Sequence, residues 1–161
     1  MATRDLSSYR ADEVPSGKSF RIAVITSDWN EEITHAMEKA CLDTLIHHEV
    51  VEENISVIHV PGSYELTSAA QMLLETSEQD AVVCIGCIIK GETPHDVYLA
   101  QAVSQGLTQV SIDYSTPVLF GVLTTLDLQQ AKERAGGRHG NKGVEAAVTA
   151  LRMAALRRKF I

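Results

Sequence analysis

The stretch Ala81-Val82-Val83-Cys84-Ile85-Gly86-Cys87-Ile88-Ile89 is the most apolar run in the chain. It is rich in β-branched residues and short for a helix. It also lacks the polar alternation of a half-buried strand, the pattern of a strand covered on both faces. It is therefore expected at the centre of a parallel sheet. Working outward, residues 64–76 carry Leu66, Ala69, Ala70, Leu73 and Leu74 at helical spacing, and residues 94–113 read as a further helix. Beyond these, Ile55–Val60 reads as a strand closed by Pro61-Gly62, and residues 117–123 (PVLFGVL) as another. Residues 20–26 (FRIAVIT) are a β-branched strand, and residues 30–48 an amphipathic helix through Ile33, Met37, Cys41 and Leu45. Two final helices are predicted over 127–135 and 141–159, separated by a break at Gly136-Gly137. Four strands alternating with helices imply βαβ units. The expected fold is α/β: a three-layer αβα sandwich around a parallel four-stranded sheet, flavodoxin-like in appearance.

The chain has 161 residues, enough for one domain with a real core and too few for two. Residues 1–18 are polar and carry Pro15-Ser16-Gly17, so they read as an N-terminal arm outside the core, leaving 19–161 as a single domain. A net charge of −7 argues against a nucleic-acid binder, whose footprint is basic. No apolar run is long enough for a membrane helix, and the first residues lack the apolar core of a signal peptide, so a cytoplasmic location is the expectation. Cys84 and Cys87 form a C-x-x-C, which invites a redox or zinc reading. In a strand, however, positions three apart face opposite ways, so two such thiols cannot share a metal. The expected role of Cys41, Cys84 and Cys87 is that of small core residues.

Ligands of open parallel sheets bind at the carboxyl ends of the strands. The segments leaving the strands here are Ser27-Asp28-Trp29-Asn30, Pro61-Gly62-Ser63-Tyr64-Glu65, the stretch from Gly86 to His95, and Thr124-Thr125. In Lys90-Gly91-Glu92-Thr93-Pro94-His95-Asp96, Thr93 is the expected N-cap, Pro94 suits the first helical position and Asp96 completes a capping-box-like pattern. A helix start of this kind suits a phosphate, and His95 beside it can move protons near neutral pH. From spacing alone, an ordinary helix start with a surface His95 carries more weight. Trp29 either stacks on a planar ring or covers the core. Glu65 either accepts from ligand hydroxyls or sits in a helix's first turn. The cluster Arg134, Arg138, His139 and Lys142 either binds an anion or solvates a loop.

These segments, with Pro117-Val118-Leu119-Phe120-Gly121, Glu133-Arg134-Ala135-Gly136 and Gly140-Asn141-Lys142-Gly143, resemble the ordered motifs of the lumazine synthases over about residues 20–157. The resemblance implies a cofactor-independent transferase of riboflavin biosynthesis. Its substrates would be 5-amino-6-(D-ribitylamino)uracil and 3,4-dihydroxy-2-butanone 4-phosphate, with no metal required. It implies His95 as the proton-transfer residue, Glu92 and Thr93 at the phosphate-holding helix start, and Arg134 paired with that phosphate. It implies Trp29 on the pyrimidine, Asn30, Ser63, Tyr64 and Glu65 around the ribityl chain, and Cys87, Ile88 and Ile89 along the heterocycle. Phe120 and Lys142 match residues that reach the pyrimidine from a neighbouring subunit. A homo-pentamer with shared sites is implied, and the short turn from Gly136 to Gly143 favours a sixty-chain shell, with riboflavin synthase as an associated partner. One departure stands out: the family usually has an aromatic residue after the histidine, where this chain has Asp96. A receiver domain fits poorly, because the first strand ends in Thr26-Ser27-Asp28 and the third in Gly86-Cys87. A non-catalytic flavin- or lumazine-binding relative of the same fold is the alternative, and joint retention of His95 and Arg134 favours the enzyme.

Overall fold

A computed structural model describes residue 5 and residues 7–161. The elements run β1 (Ile22–Ser27), α1 (Glu31–His47), β2 (Ile55–Val60), α2 (Leu66–Thr76), β3 (Ala81–Ile89), α3 (His95–Asp113), β4 (Val118–Thr125), α4 (Leu128–Arg134), β5 (Ala135–Gly137), β6 (Gly140–Asn141) and α5 (Lys142–Arg157). The main sheet is parallel, in the order β2-β1-β3-β4. β3 lies between β1 and β4, with its first eight residues buried. Its side chains alternate between two cores. Ala81, Val83, Ile85 and Cys87 face α1, α4 and α5, whereas Val82, Cys84 and Ile88 face α2 and α3. The three-layer α/β sandwich is thus present, and Cys84 and Cys87 do lie in opposite layers.

The differences from expectation are local. The break at Gly136-Gly137 is a small antiparallel hairpin, β5–β6. α3 is capped by Pro94 and not Thr93, with no side-chain cap. Pro94 has φ −74° and ψ 17°, and its carbonyl already accepts from Val97 and Tyr98 N–H. Proline's preset φ places it at the helix boundary, where its missing N–H is harmless. The arm is also less detached than its polarity implies. Val14 is buried in the α1/α5 core and Tyr9 packs against it. Gly17 N–H donates to the His48 carbonyl at 2.7 Å, and Tyr9 Oη pairs with His48 Nε2 at 3.0 Å. Burial, and secondarily nearby His47, lowers the His48 pKa and favours the neutral ring.

A polar clasp closes the amino edge of the sheet. Asp80 accepts two hydrogen bonds of 2.8 Å from Arg158 and one of 2.8 Å from Arg21 N–H. Arg158 also donates to Ser19 and lies 4.7 Å from the centre of the Phe20 ring. Burial alone would raise the Asp80 pKa. The Arg158 and Arg21 hydrogen bonds and the charges of Arg157 and Arg158 outweigh it, so the carboxyl sits below its ordinary value. With the folded pKa depressed, this stabilisation is fully present above the unfolded carboxylate pKa of about 4, and fades as pH falls through the lower folded value. Arg158→Ala is expected to cost about 1–2 kcal/mol at pH 7. Urea denaturation at fixed protein concentration should show that difference shrinking below about pH 3.5, within and under the carboxylate range.

Candidate active site

The chain passes from β1 to the left neighbour β2 and then crosses back to β3, so the carboxyl ends of β1 and β3 diverge at a topological switch point. A cavity of about 750 Å³ opens there. Its walls come from three strand exits: Trp29 and Asn30 after β1, Gly62 to Glu65 after β2, and Cys87 to Ile89 at the end of β3. The start of α3 completes it with Thr93, His95, Asp96 and Leu99. Backbone hydrogen bonds hold the exits together. Asp28 N–H donates to the Val60 carbonyl at 2.8 Å, and Trp29 N–H to the Pro61 carbonyl at 3.0 Å.

Asn30 joins the third exit. It is left-handed, at φ 63° and ψ 46°, a conformation that asparagine tolerates better than most residues. Its side-chain amide donates to the Cys87 carbonyl at 3.0 Å, and its own carbonyl accepts from Ile33 and Thr34 at the start of α1. Ser63 is buried and lies over Gly86, where a Cβ would stand 2.5 Å from Ser63 Oγ. Only glycine in β3 lets the turn after β2 settle onto the strand. Glu65 closes that turn, one carboxylate oxygen accepting from Gly62 N–H at 3.0 Å. The first-turn reading of Glu65 is therefore met, and the residue also lines the cavity.

Trp29 is 74% exposed and Tyr64 65% exposed, so neither serves as core cover. Large aromatic faces left open beside a cavity mark a ligand or partner surface. His95 is exposed at the first residue of α3, where the helix presents free N–H groups. Asp96 Oδ1 is buried with no hydrogen-bond partner among the described residues. The residue also lines the cavity.

Among the fourteen residues expected at the site, the structure brings ten into this cavity: Trp29, Asn30, Ser63, Tyr64, Glu65, Cys87, Ile88, Ile89, Thr93 and His95. Glu92, exposed beside the α3 start, is not in its wall. Phe120 lies on β4, 38% exposed. Arg134 and Lys142 line a separate hollow of about 650 Å³ beside Thr124 and Thr125, which shares no lining residue with the first. There Glu145 accepts from Arg134 at 2.6 Å and from Lys142 at 3.3 Å, and Arg134 also donates to the His139 carbonyl. α4 is only seven residues, about 10 Å long, so it does not carry Arg134 back to the amino edge as a full-length helix would. Sequence reading missed Leu99 as a residue of the cavity wall. A hollow of about 640 Å³ at the amino edge is lined by Arg21, Asp80, Arg157 and Arg158. Arg158 there is engaged by Asp80 and Ser19, and Arg157 by the Ser115 carbonyl.

A parallel flavodoxin-like sheet with an aromatic-walled, histidine-edged cavity at its switch point defines a small-molecule α/β enzyme site. The sequence model of 6,7-dimethyl-8-ribityllumazine synthase matches residues 19–158, and the chain belongs to that family. It is 53% identical over 157 residues to the 6,7-dimethyl-8-ribityllumazine synthase of Porphyromonas gingivalis, covering 98% of each chain. It is 46% identical to the enzymes of the same name from Parabacteroides distasonis, over 94% of this chain and 95% of the other, and from Cytophaga hutchinsonii, over 96% of each. Among the described residues no helix is long and apolar enough to cross a membrane.

Cys87 tests the chemistry of the cavity wall. Burial pushes its thiol up to about 11, so at neutral pH it is a protonated, polarizable surface and not a nucleophile. Alkylation of the native protein by iodoacetamide at pH 7.5, followed by mass spectrometry, should leave Cys87 unmodified while unfolded protein reacts. Rapid stoichiometric labelling of the native cavity would contradict this assignment.

Proposed function

We propose that the chain condenses 5-amino-6-(D-ribitylamino)uracil with 3,4-dihydroxy-2-butanone 4-phosphate to give 6,7-dimethyl-8-ribityllumazine, phosphate and water, the penultimate step of riboflavin biosynthesis. The observation that carries this reading is His95 at the free N-terminus of α3, facing a cavity that also holds Trp29, in a chain of this family. Trp29 stacks on the pyrimidine, and Cys87, Ile88 and Ile89 give it an apolar floor. Asn30, Ser63, Tyr64 and Glu65 meet the polyol chain. The N–H groups at the α3 start, near Glu92 and Thr93, take the phosphate.

Every step is a condensation or an elimination, so positioning and proton transfer suffice. The pyrimidine's amine attacks the ketone, and water leaves as the Schiff base forms. A proton is lost from carbon as phosphate departs, and the ring closes by attack of the ribityl-bearing nitrogen with loss of a second water. His95 accepts and returns these protons beside the departing phosphate. The chain acts in the cytoplasm, its N-terminal arm attached to one α/β domain.

The site is completed by a neighbouring copy. Among the described residues the cavity wall contains no lysine or arginine, although its proposed substrate carries a phosphate. Arg134 and Lys142 line another hollow of the same chain, with exposed Phe120 on the adjoining strand. In a homo-pentamer the Arg134 and Phe120 face of one chain meets the Trp29 cavity of the next. Twelve pentamers closing into a shell, with riboflavin synthase as its associated partner, is the assembly favoured by the short β5–β6 turn.

His95→Ala is expected to lower kcat by about 10²–10⁴-fold, with pyrimidine binding little changed. Lumazine absorbance with both substrates measures the first and calorimetry the second; unchanged turnover removes His95 from the mechanism. Arg134→Ala and His95→Ala chains, each nearly inactive, should regain part of the activity when co-assembled, because mixed pentamers hold some intact sites. Sedimentation verifies the mixing and reads the assembly. A pentamer sediments at about 88 kDa, five times the 17.6 kDa chain, and far below a shell. No recovery in verified mixed assemblies speaks against sharing.

A further inference from the structure

Outside the cavity, three side chains from three elements converge at the exposed β2 edge of the sheet: Asp28 at the β1 exit, His35 on α1 and His59 on β2. Asp28 Oδ1 lies 3.2 Å from His59 Nδ1 and 3.4 Å from His35 Nε2. The two imidazole rings stand 5.2 Å apart, tilted by 35°. All three ligand atoms fall within 4.8 Å of one another. Ligand atoms held about 2.0–2.2 Å from one ion, at tetrahedral or octahedral angles, are separated by about 3.0–3.5 Å. The two Asp28 distances match that spacing without rearrangement.

A fourth group makes this more than a chance cluster. His59 Nε2 lies 2.8 Å from Glu38 Oε2, and the Glu38 side chain is only 15% exposed. A largely covered carboxylate at one ring nitrogen orients the imidazole. It turns Nδ1 toward Asp28 Oδ1, 3.2 Å away. A cation placed between these two atoms is shared with His35. The carboxylate–histidine–metal arrangement is the usual way a protein orients a ligating imidazole. Asp28 is itself held in place, its N–H bonded to the Val60 carbonyl one residue beyond His59.

We propose that Asp28, His35 and His59 bind one divalent first-row ion of the zinc class, oriented by Glu38. Two imidazoles and one carboxylate suit zinc, nickel or copper and not magnesium or calcium. The ligands are about half exposed, so water fills the remaining positions. None of the four residues lines the Trp29 cavity, so the ion takes no part in the condensation. It fastens the β1 exit, directly beside Trp29, to α1 and β2.

The test uses full-length protein stripped with a chelator and titrated with zinc chloride at pH 7.5 in a non-coordinating buffer. Calorimetry should read one ion per chain at micromolar affinity. Copper(II) added to the same protein should quench the fluorescence of Trp29, the single tryptophan, saturating at one equivalent. His35→Ala and His59→Ala should each weaken zinc binding by more than about 100-fold, and Glu38→Gln by about 10–100-fold. Turnover by metal-free His35→Ala and His59→Ala should equal that of the metal-free parent. Circular dichroism and sedimentation check their fold, and His35→Gln on the exposed face of α1 stands in for any variant that does not assemble. No saturable zinc uptake by the parent overturns the proposal and leaves His59 as a ring hydrogen-bonded to Glu38 and Asp28 alone. Uptake that survives the combined loss of both histidines overturns it as well.

Discussion

The parallel ladder between β1 and β3 is the constraint on which the rest of the molecule depends. It pairs Ile22 through Thr26 with Ala81 through Ile85, although the two strands are separated in sequence by α1, β2 and α2. Since β2 pairs on the other side of β1, the connections to the two neighbours leave in opposite directions, and the gap between their exits is the cavity. Both partners of the ladder are buried on both faces, so slippage by one residue would move Val83 and Ile85 into the layer that holds Val82 and Cys84. The register thus decides which backbone carbonyl Asn30 meets and whether Gly86 or a bulkier neighbour lies under Ser63.

Much of this was legible in the residues, because burial on two faces erases alternation and leaves a plain apolar run. Ala81–Ile89 and Ile55–Val60 appear at the bounds expected of them, and the helices differ by a residue or two at their ends. What pattern could not show was cap chemistry and folding back. Thr93 is the better N-cap by preference, yet Pro94 holds the boundary through its fixed backbone. Val14 is one apolar residue in a polar segment, too little signal to reveal that it reaches the core. For the site, the strand-exit rule and the family likeness together named most of the cavity wall. Leu99 escaped because it lies a full turn into α3, beyond the strand exits, and reaches the wall only through packing. Asp28, His35 and His59 escaped because their spacing of seven and twenty-four residues matches no ligand motif.

The charge distribution supports the proposal that the site is completed by a second copy. The cavity is walled by aromatic, apolar and neutral polar groups with His95 and the acids Glu65 and Asp96, while Arg134 and Lys142 of another hollow are tied to Glu145. A cation so held keeps its side chain extended and ordered, which reduces what must be immobilised when an anion arrives. On the proposed reading, Glu145 is a stand-in counter-charge that keeps Arg134 and Lys142 convergent until a substrate phosphate competes for them.

A further consequence follows from the sulfur in the cavity floor. An electron-poor ketone is an efficient trap for thiolates, and a cysteine at its ordinary ionisation would add to the carbonyl and hold it as a hemithioketal. Burial holds Cys87 protonated far into the alkaline range, and Cys84 behind it is pushed up to about 12. On the proposed function the floor therefore offers a soft, close-fitting surface to a flat ring and stays inert to the ketone beside it. In that reading, selectivity between a reacting amine and the idle thiol is set by how dry the end of β3 is kept.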